Sequence, residues 1–148
     1  MPDKPAVTVA AIAQQDGRFL LVEERADDAV VINQPAGHLE AGETLLEAVV
    51  RETLEETRFH FVPEALVGVY QWATDDGRVY VRLAFSGHLA GESAERTLDE
   101  GILRPLWLSR DELAQRDNRR SPLVLRCVDD YLDGQRYPLT VINEIGDE

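Results

Sequence analysis

The stretch from Asn33 to Phe61, NQPAGHLEAGETLLEAVVRETLEETRFHF, decides how this chain is to be read. Pro35, Gly37 and Gly42 mark its first part as irregular loop. Thr44 is placed to cap a helix with its hydroxyl, and Glu47, three residues on, completes a capping-box pattern. From Thr44 to about Arg58 there is no Gly or Pro, so the spacing predicts a helix over those residues. On that helix, with Glu52 set at 0°, Glu56 falls at about 40° and Glu55 at about 300°. The three carboxylates therefore share one arc, while Leu46, Val49, Val50, Thr53, Leu54 and Thr57 occupy the inward side.

Such a cluster opposes local helix physics. Like charges three and four residues apart destabilise a helix by a few tenths of a kcal/mol per pair. Carboxylates near a helix C-terminus also meet the negative end of the dipole. A hard divalent cation removes both penalties, because Mg²⁺ takes oxygen ligands, commonly one or two carboxylates together with waters and substrate phosphates. The preceding loop, PAGHLEAGE, can fold over the acidic face, with Gly37 permitting close approach of its backbone.

Outward from this segment, AVTVAAIA (Ala6 to Ala13) and RFLLVEE (Arg18 to Glu24) read as strands joined by the turn QQDG. Val30 to Ile32 reads as a brief strand, and Pro63 as closing the helical region. ALVGVYQWAT and RVYVRLAFSGHL form a second hairpin around Asp75-Asp76-Gly77. ILRPLWLS (Ile102 to Ser109) is a further strand, with Pro105 marking an edge or a bulge. Ser109 with Glu112, and Ser121 with Pro122 and a stop at Gly134, announce two short helices. The plan is a mixed sheet with helices packed on it, of α/β or α+β class.

At 148 residues the chain fits one domain with a real hydrophobic core, residues 1–148 together. A formal net charge of -13, from 28 acidic and 15 basic residues, gives no footprint for a nucleic-acid polymer or an anionic membrane. Phosphate-bearing ligands need a bridging cation. No apolar run is long enough for a membrane span, and MPDKPAVTVA lacks the pattern of a signal peptide. The lone Cys127 reads as a buried small hydrophobe and agrees with a reducing cytoplasm.

The spacing Gly37, five residues, Glu43, seven residues, Arg51-Glu52, Thr53, Leu54, Glu55-Glu56, Thr57, Arg58, Phe59 resembles the Nudix box, the signature of hydrolases acting on nucleoside diphosphates linked to another moiety. Three positions depart from it. Thr53 stands for an aliphatic residue, Phe59 is aromatic, and Arg58 replaces the closing Gly, which implies either a left-handed residue under strain or a different helix end. Flanking segments, VTVAAIAQQDGRFLLVEE, NQPAGHLE, QW, RSPLV and GQRYPL, resemble the bacterial NudJ-type phosphatase subgroup. The resemblance implies a Nudix-type α/β/α sandwich with a central mixed sheet. It implies Mg²⁺, or Mn²⁺ in its place, as cofactor, held by Glu55, Glu56, the Gly37 carbonyl and Glu52, the last as ligand or as the base that activates water. Arg51 and Glu43 would be the ion pair that orients the glutamates. A further ligand is expected from the loop before Ile102, where Glu100 is preferred over Asp99.

The activity implied is hydrolysis of phosphoanhydride bonds in small nucleotide-like diphosphates, nucleoside di- and triphosphates and hydroxymethylpyrimidine pyrophosphate among them. The alternatives are another Nudix specificity, for nucleotide sugars or dinucleoside polyphosphates, and a catalytically silent Nudix-fold binding or regulatory module. A small-molecule nucleotide or pyrimidine diphosphate is thus the expected partner, and the chain is expected to act as a monomer or homodimer in the cytoplasm. For the organic end of the substrate, Trp72 offers a ring to stack and Gln71 an amide to read an edge. Arg18 and Asn33 are further candidates for phosphate or base. Trp107 is assigned to the core, His38 to the margin of the site, and His60 and His88 to structural roles.

Overall fold

A computed structural model describes residues 4–147. Its strands are β1 (Ala6–Gln15), β2 (Arg18–Ala26), β3 (Ala29–Asn33), β4 (Ala36–His38), β5 (Phe59–Ala73), β6 (Val79–Glu92) and β7 (Ile102–Leu108). The helices are α1 (Leu45–Thr57), α2 (Arg110–Ala114) and α3 (Pro122–Leu132). The sheet is mixed. β1 runs parallel to β6 and antiparallel to the short β4, and β5 pairs antiparallel with β6. β2 is flanked by β3 and β7, both antiparallel.

Helices cover both faces, which is why β1 and β2 read as nearly unbroken apolar runs rather than as alternations. Val9, Ala11, Leu20 and Phe85 pack with Ala48 and Val49 of α1. Ile12, Phe19, Leu21 and Ala84 pack with Leu113, Val124, Cys127 and Val128 of α2 and α3. The α/β/α sandwich is thus the observed architecture, and Cys127 lies in its core. Among the described residues no helix is long and apolar enough to cross a membrane.

The predicted first hairpin exists only at its tip, where Gln14 faces Phe19 and Gln15 faces Arg18. Beyond that β1 and β2 diverge into separate ladders, so a strong turn signal overstated their pairing. Pro63 does not close the helical region either. β5 passes through it with an irregular register between Pro63 and Ala65. The opposing residue is Gly87, where an added Cβ would lie 2.0 Å from the Val62 carbonyl oxygen, so only glycine lets the strand approach there. Pro105 lies on β7, which among the described residues pairs only with β2 and shows a register shift beside Glu23 and Glu24.

Candidate active site

Helix α1 begins with both halves of the capping box. Thr44 Oγ1 accepts from the Glu47 N–H at 3.0 Å, and Glu47 accepts from the Thr44 N–H at 2.8 Å. It ends at Arg58, a left-handed residue with φ 70°, whose N–H donates to Leu54 O at 2.9 Å. Arg58 therefore takes the strained αL position instead of ending the helix differently. The next strand partner holds it there, since the Ser93 N–H donates to Arg58 O at 2.8 Å. Thr53 is fully buried and returns its hydroxyl to Val49 O at 2.7 Å, so it fills the aliphatic position without an unsatisfied polar group.

This helix sets a group of carboxylates against β4, at the edge of a cleft of about 1010 Å³. Arg51 organises most of them. Its guanidinium reaches Glu43 at 2.7 and 3.0 Å, Glu52 at 2.7 Å, Glu55 at 2.8 Å and the His38 carbonyl at 3.1 Å. The hydrogen bond to Arg51 holds Glu43 below the usual carboxylate range, and the same contacts raise Arg51. Glu52 gives Oε1 to Arg51, and its carboxylate rests on Gly37, where a Cβ would lie 2.2 Å from the carboxylate carbon. Burial raises the proton affinity of Glu52, and Arg51 opposes this.

Glu56 makes no bond to Arg51. It is 8 % exposed, and Oε1 accepts from the Ala36 N–H at 2.9 Å. Among the described residues its other oxygen has no hydrogen-bond partner. Burial pushes its carboxyl up to about 9, partly offset by the Ala36 N–H and reinforced by the charges of Glu52, Glu24 and Asp99. Two box glutamates, Glu52 and Glu56, line the cleft, and Glu55 does not.

The donor chemistry suits a hard cation, with one buried and one half-buried carboxylate beside a glycine cradle. Among the described residues, however, no three His, Cys, Asp or Glu side chains converge into a preassembled metal cage. Arg51 occupies the inner oxygens of Glu52 and Glu55, which leaves the outer side of Glu52 and the free oxygen of Glu56.

The backbone carbonyl that faces the acidic cluster is not that of Gly37. Leu39 N–H donates to Val7 O and Ala11 N–H to Pro35 O, so Gly37, opposite Val9, belongs to the set that bonds β1. Ala36 belongs to the alternate set and points away from β1, as its N–H on Glu56 shows. The carbonyl turned toward the acidic cluster is therefore that of Ala36.

The other predicted residues divide between the cleft and elsewhere. Trp72 lines the cleft, stacked on Tyr80 with centroids 5.5 Å apart and planes 24° from parallel. Gln71 is exposed and outside it, because neighbours in a strand point to opposite faces. Asn33 lines the cleft and accepts from the Arg82 guanidinium at 3.1 Å. Arg18 lies elsewhere, 3.8 Å from Glu112. Glu100 is an exposed turn residue. Its neighbour Asp99 is the one near the cluster. The Asp99 N–H donates to Glu55 O at 3.0 Å, and partial desolvation followed by the Glu55 charge raises the carboxyl of this exposed residue. Trp107 packs in the α1-side core, edge-on to Phe59. His38 lines the cleft, while His60 bonds Ser93 and His88 pairs with Glu64 at the surface.

Sequence reasoning missed Glu24, Arg82 and Arg120, which join the cleft from β2, β6 and the segment before α3. Arg120 lay inside the flanking segment RSPLV and Glu24 at the end of VTVAAIAQQDGRFLLVEE, whereas Arg82 carried no such signal.

A mixed sheet between helices, with a capped glutamate helix lining one cleft, defines a Nudix fold, and the NUDIX domain family model matches residues 2–127. The chain belongs to the Nudix family and is a Nudix hydrolase. Among its relatives, Phosphatase NudJ of Escherichia coli strain K12 is 41 % identical over 141 residues, covering 95 % of this chain and 92 % of that protein. A solved NUDIX hydrolase from Nitrosomonas europaea superposes with a TM-score of 0.91 at 47 % identity, over 96 % of this chain and 98 % of the other. A MutT NUDIX hydrolase from Burkholderia pseudomallei superposes at 0.71 with 26 % identity, over 85 % of this chain and 99 % of the other.

Proposed function

We propose that this protein hydrolyses phosphoanhydride bonds of small nucleotide-like diphosphates with the help of a divalent cation, Mg²⁺ or Mn²⁺, in the cytoplasm. The observation that carries the reading is Glu56, a buried carboxylate at the cleft wall that, among the described residues, has one oxygen uncommitted and no cationic side chain bonded to it. Glu56 and the Ala36 carbonyl would hold the cation, with Asp99 and Glu55 adding charge around it and Glu52 standing beside it as the base. When bound, the cation offsets the phosphate charge that the acidic cluster would otherwise repel.

The chain's residues then divide the work. Arg51 fixes the Glu52 and Glu55 side chains, so that they are ordered before substrate arrives. Glu52, whose proton affinity burial has raised, accepts a proton from the attacking water. The water oxygen bonds to phosphorus, the anhydride P–O bond breaks, and the departing phosphate carries the electron pair away. The Trp72–Tyr80 stack supplies an aromatic surface for a pyrimidine or purine ring, and Asn33 a polar edge.

A substrate panel with Mg²⁺, assayed for both phosphate and pyrophosphate release, tests this. Turnover of nucleoside di- and triphosphates and of hydroxymethylpyrimidine pyrophosphate is expected, with little on nucleotide sugars or dinucleoside polyphosphates. Inactivity on every phosphoanhydride would overturn the reading.

A further inference from the structure

The cleft wall facing the acidic helix carries an unbalanced positive charge. Arg82 on β6 is 6 % exposed, yet among the described residues its guanidinium bonds no carboxylate. Its terminal nitrogens donate to Gln34 Oε1 at 2.8 Å and Asn33 Oδ1 at 3.1 Å, and its Nε has no partner. Gln34 is itself buried and donates to Val124 O at 2.7 Å, so the amides that receive Arg82 are fixed. The neighbouring Cys127 thiol is pushed up by burial, which keeps it neutral near pH 7 and unable to balance Arg82.

The carboxylate near both arginines is Glu24, 8 % exposed, and it is committed to Arg120 at 2.6 Å. Two guanidiniums thus share one carboxylate. Arg120 itself is half-exposed to the cleft, and only one terminal nitrogen is engaged, so two edges of its fork remain as donors. Its position is fixed by the backbone: the Arg120 N–H donates to Ile32 O at 2.8 Å, and Asn118 O accepts from the Ile32 N–H at 2.9 Å. The first turn of α3 contributes no free N–H, because the Leu123 and Val124 amides are held by Ser121.

We propose that Arg120, backed by the buried charge of Arg82, is the phosphate-gripping side of the substrate site, and that Glu24 is a competing partner which the incoming phosphate displaces. The proposal rests on the hydrolase reading, and it specifies which end of a diphosphate lies where. The phosphate under attack faces Glu52 and Glu56, and the other phosphate lies on the Arg120 fork. Guanidinium suits that task, since its planar donors match two phosphate oxygens at once. It also explains how a chain of net charge -13 retains an anionic substrate once the cation has brought it in.

The test is calorimetric titration of the full-length protein in Mg²⁺ buffer with methylenediphosphonate, whose P–C–P bridge resists hydrolysis. R120Q is expected to weaken binding ten- to a hundredfold, the span of one or two charge-assisted hydrogen bonds. R120K is expected to recover part of that loss. E24Q removes the competitor and is expected to tighten binding several-fold, and the E24Q/R120Q double variant is expected to lose this gain. Thermal unfolding confirms that each variant is folded.

Unchanged affinity in R120Q overturns the proposal, as does weakening by E24Q as large as that by R120Q, which would make the pair a structural unit. A gain in E24Q that survives in the double variant overturns it too, by assigning the gain to the general field. The titration does not depend on turnover. Failure of the wild type to hydrolyse any phosphoanhydride would therefore count against the hydrolase reading separately.

Discussion

Replacing Glu56 with Gln should stabilise the metal-free protein, and the structure sets the size of the effect. Burial moves this carboxyl from an ordinary 4.5 to about 9. Below pH 4.5 it is protonated in both folded and unfolded chains and contributes no pH dependence. Between 4.5 and 9 the folded protein holds a proton that the unfolded chain has released, so stability falls by about 1.4 kcal/mol for each pH unit. At pH 7 the accumulated loss is about 3 kcal/mol by the same linkage. Gln is of similar shape, keeps an oxygen for the Ala36 N–H and cannot ionise. E56Q should therefore unfold roughly 6–12 °C above wild type in EDTA at pH 7, at about 2–4 °C per kcal/mol for a chain of this size. The gap should shrink to about 1 kcal/mol near pH 5. Glu52, also raised by burial, leaves a residual slope of the same sign in the variant. Thermal unfolding followed by circular dichroism at several pH values measures this. Added Mg²⁺ should raise the wild-type midpoint and leave that of E56Q nearly unmoved. An E56Q midpoint equal to or below wild type at pH 7 would refute the reasoning, and so would a gap that does not grow with pH.

Three other substitutions probe the remaining geometry. Gly37→Ala drives a methyl into the Glu52 carboxylate, so turnover should fall by about a hundredfold or more, as misplacement of a reacting group does, while the far-ultraviolet spectrum is retained; normal turnover would show that Glu52 can move aside. Asp99→Asn should lower turnover at least tenfold at limiting Mg²⁺, whereas Glu100→Gln should leave it within about twofold, the scale expected of an exposed surface residue; the opposite ranking in a metal titration would restore Glu100 to the site. Arg58→Gly and Arg58→Ala both lose the contact between the Arg58 guanidinium and the Arg96 carbonyl, but only Gly adopts φ 70° freely. The Gly variant should accordingly be the more stable of the two by about 1 kcal/mol in urea unfolding.

What could be read from the sequence was what local spacing determines. The capping box, the shared arc of Glu52, Glu55 and Glu56, and the Arg58 position follow from helical period, which needs no knowledge of partners. Pairing parity is a different matter. Whether Gly37 or its neighbour Ala36 turns its carbonyl to the acids depends on the register of β4 against β1, and β4 is only three residues long. The same parity separates Trp72 from Gln71, although the two are adjacent in sequence. Asp99 and Glu100 differ by one step in a turn, where no period exists to choose between them. Glu24, Arg82 and Arg120 come from three distant segments. Each alone looks like an ordinary charged residue, and only the folded cleft shows that two cations share one carboxylate.

The division of charge around Arg51 explains why the box holds more acid than it can balance. One guanidinium bonds Glu43, Glu52 and Glu55, so three carboxylates lean on a single positive charge. Those contacts make the side chains rigid, yet they leave the cluster negative by two charges before Glu56 and Asp99 are counted. Adding a second arginine would halve that excess, and would also cover the oxygens of Glu52 and Glu56 that face the cleft. Leaving Glu56 without a cationic partner does the opposite. It costs stability when no metal is present, because the folded protein must hold a proton there, and it leaves at the wall a carboxyl that a divalent ion with its phosphate ligand can reach and deprotonate. On this account the destabilising glutamate and the binding site are one feature, and a variant that relieves the first should lose the second.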